Sequence, residues 1–434
     1  MNKFILLITL IFLSNCSLDT KSGIWITKEK IITEEKEENI KNLFKKKSVL
    51  NKEVNPNLKI KLEGRLIKDS FTDNQNNNKG RLDYDGNLKS ISKFKFSKIK
   101  NFDLLEPKIL SINENLIFYD DTGTLIKFDT TSKVIWKKNY YSKSEKKSKP
   151  ILFFNNNENT LIVADNLSKY YAVNIKSGNL IWSKNNAAPF NSQIKIYKDK
   201  FFIIDFSNTL RCFSIKDGTE LWNVRTESSL IRSQKKLSMV IVNGSLYFNN
   251  SIGDISAVDI NKGELLWQLP TQSSLIYEAA FSLETSDMIA DLDTLFFSNN
   301  KNQFFSIDLE TGSFKWKNNV NSSLKPSLIG SYLLTISNEG YLIIIEKNSG
   351  NIIRVTDIFK KLKKKKRNKT KPIGFVVGLN KIYLSTNNGR LFVIDISTGQ
   401  TISILKIDNE KISRPIILNK SLFVIKDNAI IKLD

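Results

Sequence analysis

Short apolar runs separated by polar turns recur along most of the chain. Between Met239 and Trp267 the order is Met239-Val-Ile-Val, Asn243-Gly244, Ser245-Leu-Tyr-Phe, a turn at Asn249 to Gly253, Asp254-Ile-Ser-Ala-Val-Asp259, Asn261-Lys262-Gly263, and Glu264-Leu-Leu-Trp267. Runs rich in β-branched and aromatic residues, each bounded by Asn, Asp or Gly, predict four short antiparallel strands, with Asn243-Gly244 as a tight hairpin turn. The unit repeats. Its last turn and strand recur as Asp129-Thr-Thr-Ser-Lys-Val-Ile-Trp136, Asn174-Ile-Lys-Ser-Gly178-Asn-Leu-Ile-Trp182, Ser214-Ile-Lys-Asp-Gly218-Thr-Glu-Leu-Trp222, Asp259 to Trp267 through Gly263, and Asp308-Leu-Glu-Thr-Gly312-Ser-Phe-Lys-Trp316. Glu346-Lys-Asn-Ser-Gly350-Asn-Ile-Ile-Arg354 and Asp395-Ile-Ser-Thr-Gly399-Gln-Thr-Ile-Ser403 keep the frame without the Trp. Equivalent end positions lie 46, 40, 45, 49, 38 and 49 residues apart, one supersecondary unit with variable loops.

This pattern predicts an all-β fold: a β-propeller of four-stranded antiparallel blades. The glycine marks a turn position that needs positive φ, and the Trp is an apolar plate suited to packing between neighbouring blades. Arg414 to Leu418, Ser421 to Ile425 and Ala429 to Leu433 supply strands of an eighth unit that lacks a final strand. The alternating stretch Leu88 to Ile99 can supply it, which closes the ring through both chain ends and protects the sheet edges. Eight blades follow, with seven as the alternative count.

Composition narrows the chemistry. Hydrophobic content of 41% and aromatic content of 10% are ordinary for a folded protein. The formal charge of +22 comes with Lys spread through linkers, strands and turns alike, and no zinc-ligand spacing, RNP-like strand or helix-turn-helix pattern accompanies it, so no nucleic-acid partner is expected. The chain has no His, which excludes Ser-His-Asp and Cys-His pairs and His-ligated zinc. Its two Cys are Cys16 and Cys212; the second, in Leu210-Arg211-Cys212-Phe213, reads as a small strand hydrophobe. No catalytic, cofactor-binding or metal-ligating set emerges. The basic run Lys360 to Arg367 lies in a connection between blades and reads as a solvated loop.

At the N-terminus, Met1-Asn2-Lys3 precedes an apolar run from Phe4 to Leu13, shorter than the roughly 20 residues of a membrane span. It reads as a secretory signal over residues 1–15. Leu13-Ser14-Asn15-Cys16 resembles a lipobox, which makes Cys16 the expected lipidation site. Residues 16–79 show no sustained period and are expected to form a flexible tether, with a short helix opening near Thr33 and ending near Lys47; the propeller is expected over 80–434.

The phrase Asp-x-x-Thr-Gly-x-x-x-Trp, clearest at Asp308 to Trp316, resembles the repeat of the PQQ-like propeller superfamily over roughly Ile99 to Asp434. Together with the signal and lipobox, and without an added catalytic domain, the chain is similar to the BamB family of outer-membrane protein assembly factors. The resemblance implies a non-catalytic scaffold at the periplasmic face of the outer membrane of a Gram-negative bacterium, anchored by lipid. It implies a monomeric propeller that joins a larger complex by holding the POTRA domains of a BamA-like barrel protein. Ser229-Leu230-Ile231-Arg232-Ser233 is similar to the stretch with which that family grips POTRA, although Ser229 stands where the family has Leu. Ser282-Leu283-Glu284-Thr285-Ser286-Asp287 takes the place of the family's acidic loop with altered spacing. The resemblance thus implies partner contacts at Leu230, Ile231, Arg232, Glu284 and Asp287. PQQ-dependent dehydrogenases share the repeat, but no adjacent Cys pair occurs here, so no cofactor is expected. A generic surface propeller that binds peptide, glycan or a sensor partner is the alternative.

Overall fold

The computed structural model describes residues 50–67, 70, 79–227, 233–272 and 283–434. The signal segment, Cys16, the stretch expected to be helical before Lys47, and Leu230, Ile231 and Arg232 lie outside them. Among the described residues the strands form eight four-stranded antiparallel sheets and one two-stranded parallel pair. Blade 1 consists of Leu110–Ile112, Asn115–Tyr119, Leu125–Phe128 and Val134–Lys138. Blade 4 consists of Met239–Val242, Ser245–Asn249, Ile255–Asp259 and Leu265–Leu269. Its first hairpin turns at Asn243 and Gly244, both at positive φ, as the Asn-Gly pair predicts. The first strands of blades 2, 3, 4 and 5 lie beside one another, so first strands line the axis and fourth strands form the rim.

Blade 8 is composite. Ser90–Lys95 pairs with Ala429–Leu433, placing Phe94 opposite Ile430 and Lys95 opposite Ala429, while Ser421–Lys426 and Ile416–Leu418 complete the sheet. The expected eight-bladed ring closed by both chain ends is therefore the observed fold. Phe94 is buried in one apolar cluster with Phe128 of blade 1 and Phe423 of its own blade, so closure buries side chains as well as pairing edges.

One latch repeats at the blade junctions. Each Trp of a fourth strand lies on the glycine of the next blade's last turn: a Cβ on Gly218 would fall 2.6 Å from Trp182, and one on Gly312 2.7 Å from Trp267. The indole N–H also donates across the junction, Trp136 to Ile175 O (2.9 Å), Trp182 to Ile215 O (3.0 Å), Trp267 to Leu309 O (3.0 Å) and Trp316 to Lys347 O (2.8 Å). Gly178, Gly218, Gly263, Gly312, Gly350 and Gly399 have φ between 69° and 75°, a region that costs any side chain with a Cβ and leaves room for the ring. Blade 1's turn is shorter, and Ser132 takes the positive-φ place at 71°. Cys212 sits in the register opposite Trp222, fully buried, and burial pushes its thiol up to about 12.

The latch changes between blades 6 and 7. Arg354 stands where the Trp would, fully buried, and donates to Leu58 O (2.9 Å), to Ile396 O (2.8 Å) and to Ser397 O. Leu58 belongs to an N-terminal strap. Val54 bridges Val355, Asn55 Nδ2 donates to Ile353 O (3.0 Å) and Ile60 N donates to Ser397 O (3.1 Å), so the strap descends the cleft between the two blades. It then crosses the turns between first and second strands: Gly80 N donates to Leu328 O (2.7 Å), Arg81 Nη1 to Leu379 O (2.8 Å) and Leu379 N to Tyr84 O (3.0 Å). Ile60, Leu62, Leu82 and Tyr84 are buried against the propeller. Residues 50–67, part of the stretch that the sequence assigns to a tether, are thus held along the rim and one face.

Candidate functional site

In an antiparallel blade the connections that lead into first strands emerge on one face, together with the turns between second and third strands. The strap crosses the opposite face. The open face therefore carries Ser233 to Ser238, ahead of blade 4, and Leu283 to Met288, ahead of blade 5; of the expected partner contacts, Glu284 and Asp287 lie in the second.

The structure brings the two connections together. Ser233, which follows Arg232 in the chain, donates through Oγ to Leu283 O (2.6 Å), the carbonyl before Glu284. Leu283 is buried, packed where a Cβ on Gly253 would come within 2.7 Å, so glycine at the blade 4 turn makes room for it. Glu284 is exposed, its backbone fixed by Glu284 N to Asn300 Oδ1 and Asn300 N to Glu284 O, both 3.0 Å. Asp287 is placed differently. It turns into the axial channel, where its Oδ2 accepts from Gln193 Nε2 (2.7 Å) across the space between blades 3 and 5.

Asp287 belongs to a charged cluster at the mouth of that channel. Lys235 and Lys236, ahead of blade 4, lie 3.5 and 3.6 Å from the carboxylate oxygens of Glu106, ahead of blade 1. Lys235 Nζ donates to Ser323 O (2.7 Å), ahead of blade 6, and Lys411 Nζ donates to Asp103 O (2.7 Å) and Leu105 O (2.8 Å). Arg414 lies along Gly374, where a Cβ would come within 2.6 Å of it, and its Nε donates to Phe375 O (3.0 Å).

Charge balance sets the protonation. Burial works against the charge of Asp287 and Glu106, yet the surrounding lysines, with Arg414 beside Asp287, hold both carboxyls below their usual range. The cations carry the cost. Burial, then Lys195 and Lys236, push Lys108 down to about 7 against the partial opposition of Asp287. Burial and Arg414 drive Lys325 well below the usual lysine range, and burial also lowers Lys411 and Arg414.

Sequence reasoning missed this cluster because the repeats were aligned on the Trp. Aligned on the start of the first strand, one position recurs: Lys108, Gln193, Asp287, Lys325 and Arg414 each stand two residues before it. A preceding Ser fixes the backbone there. Ser192, Ser286 and Ser413 each accept through Oγ from a second-strand N–H, that of Ile204 (2.8 Å), Ser298 (2.9 Å) and Ile425 (2.9 Å), and each donates to the next residue's carbonyl. The basic run lies on the same face, farther from the axis, with the short helix Lys364–Arg367. Three of its residues are anchored, Lys360 by Glu53 of the strap (3.0 Å), Lys361 by the Thr401 carbonyl (3.1 Å) and Arg367 by Asp357 (2.5 Å). Among the described residues no group of three or more His, Cys, Asp or Glu could hold a metal ion, and no helix is long and apolar enough to cross a membrane.

Comparison with solved structures places this fold beside BamB from Moraxella catarrhalis, with a TM-score of 0.64, 15% identity, and coverage of 80% of this chain and 99% of that one. Quinohemoprotein alcohol dehydrogenase from Comamonas testosteroni is similar at a TM-score of 0.62, 10% identity, and coverage of 84% and 80%. BamB and a dehydrogenase fit about equally, so these likenesses establish the fold alone. By sequence, outer membrane protein assembly factor BamB of Moranella endobia (strain PCIT) is 29% identical over 111 residues, 25% of this chain; the match spans 28% of that relative's length. The family described as outer membrane protein assembly factor BamB matches residues 113–356, more than half of the 434-residue chain and the stretch that carries the Trp latches, so the chain belongs to that family.

Proposed function

We propose that the chain is a non-catalytic scaffold lipoprotein of the outer-membrane β-barrel assembly machinery, which holds the POTRA domains of a BamA-like protein. The lipid is on Cys16, and the propeller works as a monomer in the complex at the periplasmic face of the outer membrane. The observation that carries this reading is the Ser233 to Leu283 hydrogen bond, which joins the residue after Arg232 in the chain to the residue before the exposed Glu284. An arginine that follows Leu230 and Ile231 in sequence has the composition of an interface hot spot. Family membership supports a partner within the outer-membrane assembly complex.

Crosslinking in the native cell envelope, followed by pull-down of the tagged chain and mass spectrometry, tests it. Recovery of a POTRA-bearing barrel protein, reduced at least about tenfold by Arg232→Glu in a chain that still melts cooperatively, is the expected result. Recovery of peptidoglycan-binding or signalling proteins instead, or equal recovery with the variant, overturns it.

A further inference from the structure

The basic run between blades 6 and 7 is held by the fold rather than left to solvent. Phe359 is buried with its ring over Gly340 of blade 6, and Leu362 packs half-buried against the core that holds Ile358 and Phe392. Arg367 pairs with Asp357 (2.5 Å) and lies over the Tyr341 ring at 5.5 Å. Past the helix Lys364–Arg367, Thr370 Oγ1 donates to Lys366 O (2.9 Å), and Asn387 Nδ2 of blade 7 donates to Lys369 O (3.1 Å). This frame presents Lys363, Lys364, Lys365, Lys366, Lys369 and Lys371, all exposed, and none of them joins an ion pair among the described residues. The carboxylates on the surrounding elements are already engaged: Glu53 with Lys360, Asp357 with Arg367, Asp408 with Lys426 and Glu339 with Asn321 Nδ2, while Glu410 acts on Lys98. Like charges on one short segment repel, and no pairing inside the propeller offsets that cost.

The N-terminal strap enters at the same place. Tyr341, whose ring lies under Arg367, donates through Oη to Asn51 O (2.6 Å), and Glu53 of the strap holds Lys360 (3.0 Å). The path along the chain from the propeller back to Cys16 therefore starts beside these lysines. We propose that this platform seats the propeller on the anionic phospholipid surface of the membrane that anchors the chain. The inference rests on Cys16 as the lipid-bearing residue, and it names the part of the propeller that faces the membrane. An anchor keeps platform and membrane together, so a contact that is weak on its own becomes an intramolecular one. Each lysine that reaches anionic headgroups strengthens it about fivefold. The residue type fits this occupant. Lysine is a compact point charge on a flexible stem, suited to a fluid layer of phosphates, whereas the one arginine of the run spends its rigid fork on Asp357.

Vesicle flotation of the full-length chain carrying Cys16→Ser, which has no acyl chain of its own, tests the platform apart from the anchor. Binding is expected to vesicles of one part phosphatidylglycerol to two parts phosphatidylcholine, to fall as salt is raised, and to be lost with phosphatidylcholine alone. Adding Lys363→Gln/Lys364→Gln/Lys365→Gln/Lys366→Gln is expected to weaken it about tenfold or more. Adding Lys143→Gln/Lys146→Gln/Lys147→Gln/Lys149→Gln instead, which removes the same charge between blades 1 and 2, is expected to leave most of it. Should the first quadruple variant not melt cooperatively, the pairs Lys363→Gln/Lys364→Gln and Lys365→Gln/Lys366→Gln replace it, each expected to weaken binding about fivefold or more. Equal flotation with both vesicle types, or equal loss in the two quadruple variants, overturns the proposal. So does tighter binding to a polyglutamate peptide than to the anionic vesicles, which assigns the platform to an acidic protein. The anchor is read separately: an unmodified Cys16 in the mass of the parent chain from the cell envelope overturns the lipoprotein reading, whereas the vesicles report on the platform alone.

Discussion

The junctions of blades 1 to 6 and the junction of blades 6 and 7 present the same glycine turn and cover it with different chemistry. At Gly178, Gly218, Gly263, Gly312 and Gly350 the cover is an indole ring, which fills the space with apolar area and, at four of them, donates one N–H across the cleft. At Gly399 the cover is Arg354 with Thr356, and the guanidinium reaches three carbonyls. The reason is the strap. A second backbone in the cleft brings the Leu58 carbonyl to a place where an indole has no further donor to offer, while the planar guanidinium has several in a fixed fork. Loss of the Trp from the sixth repeat is thus a change of latch that accommodates a third chain segment.

The largest expected effect is at that altered latch. Arg354→Leu leaves the Ile396 carbonyl without its donor in a buried cleft, leaves the Ser397 carbonyl with Ile60 N alone and releases Leu58, at an expected cost of about 4 kcal/mol in chemical denaturation. Limited proteolysis then cuts within residues 50–67. Arg354→Trp sharpens the test, because the ring again covers Gly399 but cannot hold Leu58; stability returns in part while proteolysis of the strap persists. A strap as resistant to proteolysis in either variant as in the parent would break the account. Next in size is Gly312→Ala, expected to cost about 3 kcal/mol from an unfavourable φ together with a Cβ driven into Trp267. Gly244→Ala separates these causes. Its φ is 79° with nothing within 4 Å of a Cβ, so it carries the backbone cost alone, about 1 kcal/mol.

The contrast between latch and strap also marks how far the sequence could be read. The latches were legible because Gly and Trp recur in phase, and Ser90–Lys95 was legible because its alternation filled the one incomplete repeat. The strap was not. Its anchors Ile60, Leu62, Leu82 and Tyr84 are single apolar residues without a period, and the strap's hydrogen bonds to the blades reach some three hundred positions along the sequence, as Val54 to Val355 and Tyr84 to Leu379 do. The axial cluster fell between these cases. Its charges recur in phase, but at a position ahead of the first strand that a reading anchored on Trp passes over. Asp287 shows the consequence: an acidic residue three after Glu284 reads as part of one exposed loop, whereas the start of the first strand swings it into the channel.

The smallest effect separates the two roles of the ring. Trp267 both packs on Gly312 and donates to Leu309 O, while Trp222 packs on Gly263 in the same manner with its Nε1 buried and without a partner among the described residues. Phe substitution removes part of the ring and the N–H from each. At position 267 it removes one of two donors to the Leu309 carbonyl, leaving Tyr247 Oη (3.2 Å), as well as losing area; at 222 it removes a buried donor that already costs energy. Trp267→Phe is therefore expected to destabilise by about 1 kcal/mol more than Trp222→Phe, measured as the difference in their urea midpoints at equal slope. If the two variants lose the same stability, the indole N–H contributes nothing net and the latch is a matter of shape alone. If Trp222→Phe loses more, packing at the junction of blades 3 and 4 is tighter than at blades 4 and 5, and the latches are not equivalent.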